Sequence, residues 1–344
     1  MGTRVRRARR FTASFLVALV AATGATAVVA AAPAQAAKLD KVTIGYSAWP
    51  GWFPLAVADE AGIFKKAGLD VDLKYFGDYI ASLDAMVAGK LDANTQTLND
   101  TMAAVAGGSK QAIIVAGDNS AGNDAIICDK SITSVEGMKG KTVAAEEGVV
   151  DHFLLLQGLA KAGMTQNDID FRGVLTADAA SAFSGGEFDC VGVFAPFTLE
   201  ALKRPGSHVV FSSKDFPGTI PDHVVVSQEM VAKQPKVAQK IVNAWYETLA
   251  YIDANPDEAN KIMADAAELS ESEYADLASG TKLFTVDESL TAFTPGTTTE
   301  SLEYTAKLIN PFLVKSGLTK KQASLKNLFA PKFTEAYAAA NPSS

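Results

Sequence analysis

The sequence predicts an α/β fold in which short strands alternate with helices and a helical region completes the chain. The stretch from Val42 to Thr97 reads as strand, aromatic loop, helix, strand, helix, strand. Strand-like runs recur as far as Ser227, and beyond that residue the pattern is almost wholly helical. Strands that alternate with helices build a parallel sheet, whose carboxyl edge is where ligands bind.

The first 37 residues precede this fold and have the pattern of a secretory signal peptide. Five arginines lie within residues 4–10, an apolar run extends from Phe15 to Ala32, and small residues follow it. We therefore predict an exported protein, periplasmic or at the cell surface, with cleavage near Ala36 or Ala37. A transmembrane anchor is the alternative, but the run is Ala-rich and no stop-transfer cluster follows it.

Ten runs have the length and composition of β-strands, and seven segments outside the opening stretch have helical periodicity. The predicted strands are Val42 to Tyr46, Val71 to Phe76, Ala93 to Thr97, Ala112 to Gly117, Ala125 to Cys128, Thr142 to Ala145, Asp170 to Val174, Cys190 to Phe194, His208 to Phe211 and His223 to Ser227. The predicted helices are Phe153 to Ala162, Ala177 to Ser184, Pro235 to Ala250, Asp257 to Ala267, Ser270 to Ser279, Thr297 to Ser316 and Lys332 to Ala340.

Size and charge restrict the class of protein. Cleavage after residue 37 removes five arginines, so 26 basic residues face 39 acidic ones and the formal net charge moves from -8 to -13. Such an acidic chain, without a basic stripe, is not expected to bind nucleic acid. About 307 mature residues are too many for one typical core and predict two lobes.

Two cysteines, Cys128 and Cys190, lie in a chain that is predicted to be exported. Oxidation is expected outside the cytoplasm, so a disulfide is one interpretation and two separate buried thiols are the other. Both interpretations remain open at this point.

The sequence lacks the motifs that indicate an enzyme. There is no G-x-S-x-G elbow, H-E-x-x-H pair, P-loop or G-x-G-x-x-G after a strand. The three histidines are dispersed, which argues against a zinc site. We therefore predict a protein with no catalytic residues, no cofactor and no metal.

Four landmarks fall in order along the mature chain: Ile44 to Tyr46, Glu60 to Val71, Ala88 to Asp92 and Ser134 to Val143. Together they resemble the solute-binding proteins of ABC importers, in the group that handles nitrate, sulfonates, taurine and thiamine precursors. Within that group the chain looks most like the binding proteins encoded beside urea carboxylase. This narrower resemblance rests on Trp49 to Trp52, Asp78 to Ala85, Gly122 to Asp124 and Glu147 to His152.

The resemblance implies a two-lobe periplasmic-binding-protein type II fold, with two hinge crossovers and a helical C-terminal region, that closes on a small solute. It places the first lobe at 38–124 and 198–344 and the second at 125–197. The crossovers would be Asp124 to Cys128 and Cys190 to Phe194, where a disulfide would limit hinge opening. The implied partners are permease and ATPase subunits, with the membrane reached only through the permease, and the protein is expected to be a monomer. An exported sensor that presents its ligand to a receptor is the alternative.

Polar and aromatic side chains gather in the loops after the predicted strands, where the resemblance places the cleft. The predicted ligand-binding residues are Trp49, Trp52, Asp78, Tyr79, Asn99, Asp100, Asp118, Asn123, Glu147, Asp151 and Phe194. The alternative role for the carboxylates is helix capping, and for the two tryptophans it is packing beneath their loop. Asp124 is interpreted as a possible brace at the hinge.

These loops favour a ligand rich in N–H groups. Ionised carboxylates only accept hydrogen bonds, and they pair strongly with a planar guanidinium. Aromatic rings offer π faces to such a cation. We therefore predict guanidinium, or a relative such as urea, as the ligand. The alternatives are nitrate, taurine or an aliphatic sulfonate; a thiamine-pyrimidine-type binding protein or synthase-like enzyme is disfavoured.

Overall fold

The structure is a computed structural model that describes residues 38–342. The predicted signal peptide, residues 1–37, lies outside this range. Within residues 38–342, none of the helices has the length and hydropathy that are needed to cross a bilayer.

The described residues alternate strands and helices as far as Ser227 and are mainly helical beyond it. The strands are β1 (Asp40–Ser47), β2 (Leu69–Phe76), β3 (Ala93–Thr97), β4 (Gln111–Ser120), β5 (Asp124–Cys128), β6 (Thr142–Ala145), β7 (Asp170–Gly173), β8 (Cys190–Phe194), β9 (His208–Ser212), β10 (Pro221–Ser227) and β11 (Thr281–Leu283). The helices are α1 (Pro54–Glu60), α2 (Ile63–Lys66), α3 (Tyr79–Val87), α4 (Leu98–Gly107), α5 (Val150–Lys161), α6 (Thr176–Ser184), α7 (Phe197–Ala201), α8 (Gln228–Lys233), α9 (Pro235–Ala254), α10 (Pro256–Ala266), α11 (Glu271–Ala278), α12 (Val286–Phe293), α13 (Leu302–Lys315) and α14 (Lys332–Ala340).

The predicted α/β class and the helical C-terminal region are confirmed, and each of the ten predicted strands is present. Sequence reasoning missed the short strand β11 and the helix α12 that follows it. Helix α13 begins at Leu302 rather than at Thr297, because the Ser301 side chain caps it by accepting a hydrogen bond from the Tyr304 backbone N–H.

The strands form two mixed sheets, in which the alternating stretch from Val42 to Thr97 supplies the parallel part of the first sheet, as predicted. In residues 38–342 one sheet has the order β11-β4-β10-β3-β1-β2 and the other β7-β6-β8-β5-β9. In the first sheet β1 is parallel to β2 and β3, whereas β10 runs antiparallel to both of its neighbours. The amino end of β10 therefore meets the carboxyl ends of β3 and β4, with Asp222 opposite Thr97 on one side and Asp118 on the other.

The chain passes between the sheets in two places. It leaves the first sheet between β4 and β5, at residues 121–123, and returns between β9 and β10, at residues 213–220. Both segments that were predicted as crossovers, Asp124 to Cys128 and Cys190 to Phe194, are instead interior strands of the second sheet. Strand β9 also pairs with β5 in that sheet, although the predicted boundaries assign it to the first lobe.

Cys128 and Cys190 form a disulfide. They lie directly opposite each other in the antiparallel pair β5 and β8, with Cα atoms 4.0 Å apart. Because both ends of the bond belong to the second sheet, it does not tie the two sheets together. The bond therefore gives no direct restraint on separation of the two sheets, and an effect on hinge opening stays a prediction.

Helices cover both faces of the second sheet, which explains why β5 is buried along its whole length. Successive side chains point to opposite faces. Ile126 joins the core that includes Phe153 of α5, whereas Ile127 joins a smaller cluster with Phe183 of α6. This double cover fixes the position of Asp124, the first residue of β5, at the boundary between the two sheets.

Candidate functional site

The loop after β1 is a tight turn that holds two tryptophans. The backbone N–H of Trp52 donates to the Trp49 carbonyl at 2.9 Å, and the Tyr274 hydroxyl donates to the Pro50 carbonyl at 2.9 Å. Pro54 then begins α1, where its missing N–H costs no hydrogen bond. The turn is therefore anchored from outside by α11, and both indoles are buried.

Asp118, at the carboxyl end of β4, lies against this turn. Its Oδ1 accepts a hydrogen bond from the Trp49 Nε1–H at 2.9 Å. A Cβ on Gly51 would lie 2.2 Å from Asp118 Oδ2, which is far inside contact distance. Only glycine allows the turn to come this close to the carboxyl group.

A narrow cavity lies between the two sheets. It measures about 10 Å³ as the space open to the centre of a water molecule, which is room for about one water. Its walls come from both sides of the boundary and are formed by Trp49, Trp52, Tyr79, Thr97, Asp124, Val150, Phe194 and Asp222.

An aromatic wall runs along the cavity from the first sheet to the second. The ring centroids of Trp52 and Tyr79 are 5.3 Å apart, and those of Tyr79 and Phe194 are 6.1 Å apart in an edge-on arrangement. The Ile80 N–H also donates to Glu146 Oε1 at 3.3 Å, so α3 contacts the loop after β6. The two sides of the cavity are thus closed onto each other.

The polar part of the cavity wall consists mainly of carboxyl groups. Asp222 and Asp124 are each 1% exposed. Among residues 38–342, both oxygens of Asp222 and the Oδ2 atom of Asp124 have no hydrogen-bond partner. The Trp52 Nε1–H also has no acceptor within that range. Buried polar atoms without partners are costly, and here they line a cavity.

Asp151, in the first turn of α5, and Glu146 share one hydroxyl group. Thr176 Oγ1 lies 2.6 Å from Glu146 Oε2 and 2.9 Å from Asp151 Oδ2. A hydroxyl has one proton to donate, so the second short contact needs a proton on one of the carboxyl groups. Burial raises the pKa of both groups, and the charge of Asp124 raises that of Asp151 further.

Asp100 stands behind the cavity at the start of α4. Its oxygens accept hydrogen bonds from Thr97 Oγ1 and Asn99 Nδ2, both at 2.7 Å. The Tyr79 hydroxyl in turn accepts from the Thr97 backbone N–H at 3.0 Å. These contacts fix Thr97 and Tyr79 in the cavity wall while they satisfy Asp100.

Burial and mutual repulsion raise the pKa values of this acidic cluster. Burial raises the pKa of Asp100 and of Asp124 to about 7. The pKa of Asp222 is raised well above its ordinary value by burial and by the charge of Asp118. No Lys or Arg side chain is buried in the described part of the chain to compensate these charges. Nor does any group of three or more His, Cys, Asp or Glu in residues 38–342 have an arrangement that could hold a metal ion.

The predicted site residues therefore separate into three groups. Trp49, Trp52, Tyr79 and Phe194 line the cavity, and Asp100, Asp118 and Asp151 belong to the buried cluster around it. The other four do not line the cavity. Asp78 and Glu147 are exposed, and the Asn99 side chain donates its hydrogen bond to Asp100. The Asn123 side chain donates to the Leu277 carbonyl and Thr281 Oγ1. Asn123 thus attaches the first crossing segment to the helical region.

Sequence reasoning missed two cavity carboxylates. Asp222 begins a strand, whereas in a parallel sheet the residues at the ligand edge follow the ends of strands. Since β10 is antiparallel, its beginning lies at the ligand edge. Asp124 was noticed only as a possible brace, because its place at the boundary between the sheets depends on how they pack.

Two mixed sheets that enclose a cavity at their boundary define the fold of the periplasmic binding proteins. The chain belongs to the NMT1-like family, whose model matches residues 35–268. A Brucella abortus (strain 2308) protein provisionally named a binding protein is 27% identical over 298 residues, 85% of this chain and 92% of that protein. The taurine-binding periplasmic protein of Escherichia coli (strain K12) is 24% identical over 220 residues, 63% of this chain and 68% of that protein.

Solved structures show the same fold. The periplasmic aliphatic sulphonate binding protein SsuA from Escherichia coli matches with a TM-score of 0.69 and 19% identity, over 83% of this chain and 96% of that chain. The periplasmic nitrate-binding protein NrtA from Synechocystis PCC 6803 matches with a TM-score of 0.68 and 15% identity, over 88% of this chain and 90% of that chain. The desulfurization enzyme DSZB matches with a TM-score of 0.60 and 14% identity, over 88% of this chain and 99% of that chain. The fold alone therefore accommodates both binding proteins and an enzyme.

Proposed function

We propose that the protein is the exported solute-binding component of an ABC importer. Membership of the NMT1-like family supports this proposal, as do the relatives that are named as periplasmic binding proteins. The cavity at the boundary between the sheets is the place where such a protein captures its ligand. The implied partners are a small solute and the permease and ATPase subunits of the importer. An exported sensor that presents its ligand to a receptor would use the same cleft.

The two lobes of this proposal follow the two sheets. They meet at residues 121–123 and 213–220, so the second boundary replaces the predicted one at 197. The contacts that hold the cleft closed are the Ile80–Glu146 hydrogen bond and the contact between the Tyr79 and Phe194 rings. Opening of the cleft separates each of these pairs and gives the ligand access.

The favoured ligand is guanidinium or a similar small N–H donor such as urea. One observation carries this choice: Asp124 and Asp222 present buried carboxyl oxygens, without partners in residues 38–342, to a cavity walled by aromatic rings. A planar cation offers N–H groups to the oxygens and its faces to the rings. Because the closed cavity has room for about one water, guanidinium or urea would have to hold the two sides slightly further apart, and a longer ligand would have to separate them more.

An anion is a poorer match for this cleft. Nitrate, taurine and alkanesulfonates remain the alternative because relatives are named for them. A sulfonate needs donors or positive charge, whereas the cavity wall contains two Asp side chains and neither Lys nor Arg. The relatives that are named as binding proteins also favour binding over catalysis for this member of the fold.

Isothermal titration calorimetry on residues 38–344 tests the proposal with guanidinium, urea, taurine, nitrate and an alkanesulfonate. We expect binding of guanidinium or urea. Asp124→Asn should weaken guanidinium binding by about 2 kcal/mol or more, because it removes one partner of a buried charge pair. Asp78→Asn, which changes an exposed acid near the same cleft, is the matched control. Tight binding of taurine or nitrate with no response to guanidinium or urea would overturn the choice of ligand and leave the binding-protein assignment intact.

A further inference from the structure

Asp118 and Asp222 form a pair of carboxyl groups at the end of the cavity. They are directly opposite each other on β4 and β10, and they are 0% and 1% exposed. The register of these strands shifts by one residue next to the pair, so that His223 faces Ala116 and Gly117 is the extra residue. A bulge of this kind redirects the neighbouring side chains, and it occurs often at functional sites.

The two members of the pair have different surroundings. Asp222 lines the cavity, whereas Asp118 lies behind it, between the Gly51 turn and Asp222. Asp118 Oδ1 accepts from the Trp49 Nε1–H. Within residues 38–342 the other Asp118 oxygen and both oxygens of Asp222 have no donor. A single proton held between the carboxyl groups would give each of them a partner.

The groups that face the pair add negative charge or none. They are Asp100 of α4, Asp124 of β5, Tyr79 of α3 and Tyr274 of α11. His223, the next residue of β10, points away and its Nε2 contacts Thr101 Oγ1 at 2.7 Å. Two adjacent buried carboxylates cannot both ionise readily in such surroundings.

We propose that Asp118 and Asp222 share one proton, and that Asp222 contacts a bound cation while Asp118 keeps the proton. This inference rests on the proposed cationic ligand. When the cation arrives, the shared proton moves onto Asp118, which donates it as a hydrogen bond to Asp222, and the negative charge stays on Asp222. No bond other than this O–H bond changes, and no proton has to leave the pair. Asp222 is thereby the anchor for the ligand, and Asp118 is the residue that positions it.

Amide substitutions at each position test these unequal roles. The amide in Asp118→Asn resembles a protonated Asp118, since it can accept from Trp49 and donate to Asp222, whereas Asp118→Ala can do neither. Calorimetry with guanidinium at pH 7.5 should show a loss of about 30-fold or more for Asp222→Asn. The loss for Asp118→Asn should be smaller by about tenfold, and Asp118→Ala should lose more than Asp118→Asn because it cannot donate. Equal losses for the two amide variants, or wild-type affinity for Asp222→Asn, would overturn the assignment of roles.

Thermal melts of the ligand-free protein test for the shared proton through the pH dependence of the melting temperature. Above neutral pH the wild-type pair is forced to give up its proton, which places two negative charges side by side and destabilises the fold, whereas either amide variant keeps only one carboxyl group at the pair and avoids that repulsion. Between pH 6.5 and 8.5 the melting temperatures of Asp118→Asn and Asp222→Asn should fall less than that of the wild type. The melting temperature of the control Asp78→Asn should fall as much as that of the wild type. An identical fall in all four proteins would refute the shared proton. A wild-type protein that binds no guanidinium, but shows these melts, would instead refute the choice of ligand.

Discussion

The charge and the hydrogen-bond donors at the cavity are set by very few side chains. Asp124 and Asp222 supply acceptors, and Trp52 supplies an indole N–H that has no acceptor in residues 38–342. Guanidinium has donors only, whereas urea has donors and one acceptor. The indole N–H of Trp52 can therefore donate a hydrogen bond to urea but not to guanidinium.

Trp52→Phe should separate guanidinium from urea. The substitution keeps a π face in the wall and removes the N–H. We expect urea to bind less tightly by about 1 kcal/mol, roughly fivefold, while guanidinium affinity changes little. Titration calorimetry of both ligands measures this difference. Trp245→Phe is the control, because the Trp245 Nε1–H is also buried without a partner in the described residues, but Trp245 belongs to α9 and does not line the cavity. A loss of affinity for guanidinium alone would contradict this prediction.

Gly51→Ala should damage both binding and stability. The added Cβ would come within 2.2 Å of Asp118 Oδ2, so either the turn or the carboxyl group has to move. The Trp49–Asp118 hydrogen bond would be strained, at a cost of about 1–3 kcal/mol in the free energy of unfolding. Differential scanning calorimetry of the ligand-free protein measures that cost. Gly77→Ala, where a Cβ would meet nothing within 4 Å, is the matched control. Equal stability of the two variants would show that the turn adapts freely.

Among the secondary-structure elements, the direction of one strand decides the composition of the site. Alternating hydrophobic patterns located ten strands from the sequence, because side chains alternate between two faces regardless of which strand is the neighbour. Whether β10 runs parallel or antiparallel leaves no trace in its own residues. Asp222 was missed for that reason, while Trp49, Trp52 and Tyr79, which follow the parallel strands β1 and β2, were found.

The disulfide should stabilise the second sheet without affecting capture of the ligand. Cys128 and Cys190 are 62 residues apart in sequence and belong to adjacent strands of one sheet. The double variant Cys128→Ala, Cys190→Ala should lose about 2–4 kcal/mol in the free energy of unfolding. Its guanidinium affinity at a temperature where it remains folded should stay within about twofold of the wild-type value, because neither residue lines the cavity. A large change in affinity would indicate that the bond does influence the cleft.

For the molecule as a whole, a concentrated buried negative charge couples folding to pH. Burial raises the pKa of Asp100 and Asp124 to about 7, so the folded chain keeps protons that the unfolded chain has already released. Stability that depends on such protons is lost as pH rises through the folded pKa. Buried His152 and His223 have lowered pKa values and act in the opposite direction, but only below about pH 6.5.

The ligand-free protein should therefore melt at a lower temperature at pH 8 than at pH 6.5, by at least about 2 °C. Differential scanning calorimetry at the two pH values measures the shift. Saturating guanidinium should reduce it, because a cation compensates the charge that the lost protons leave behind. A melting temperature that rises from pH 6.5 to pH 8 would contradict the proposed state of the acidic cluster.

Local patterns in the sequence were sufficient for the α/β class, the strands, the aromatic loop after β1 and the acidic character of the loops around it. These features follow from the period of apolar residues and from turn-forming residues such as Pro50 and Pro54. The folded structure was needed to place Asp222 and Asp124 in the cavity wall, to leave Asp78 and Glu147 exposed, and to put the disulfide within one sheet. Which side chains meet depends on strand direction, register and the packing of the two sheets, and these are set by contacts between residues far apart in the chain.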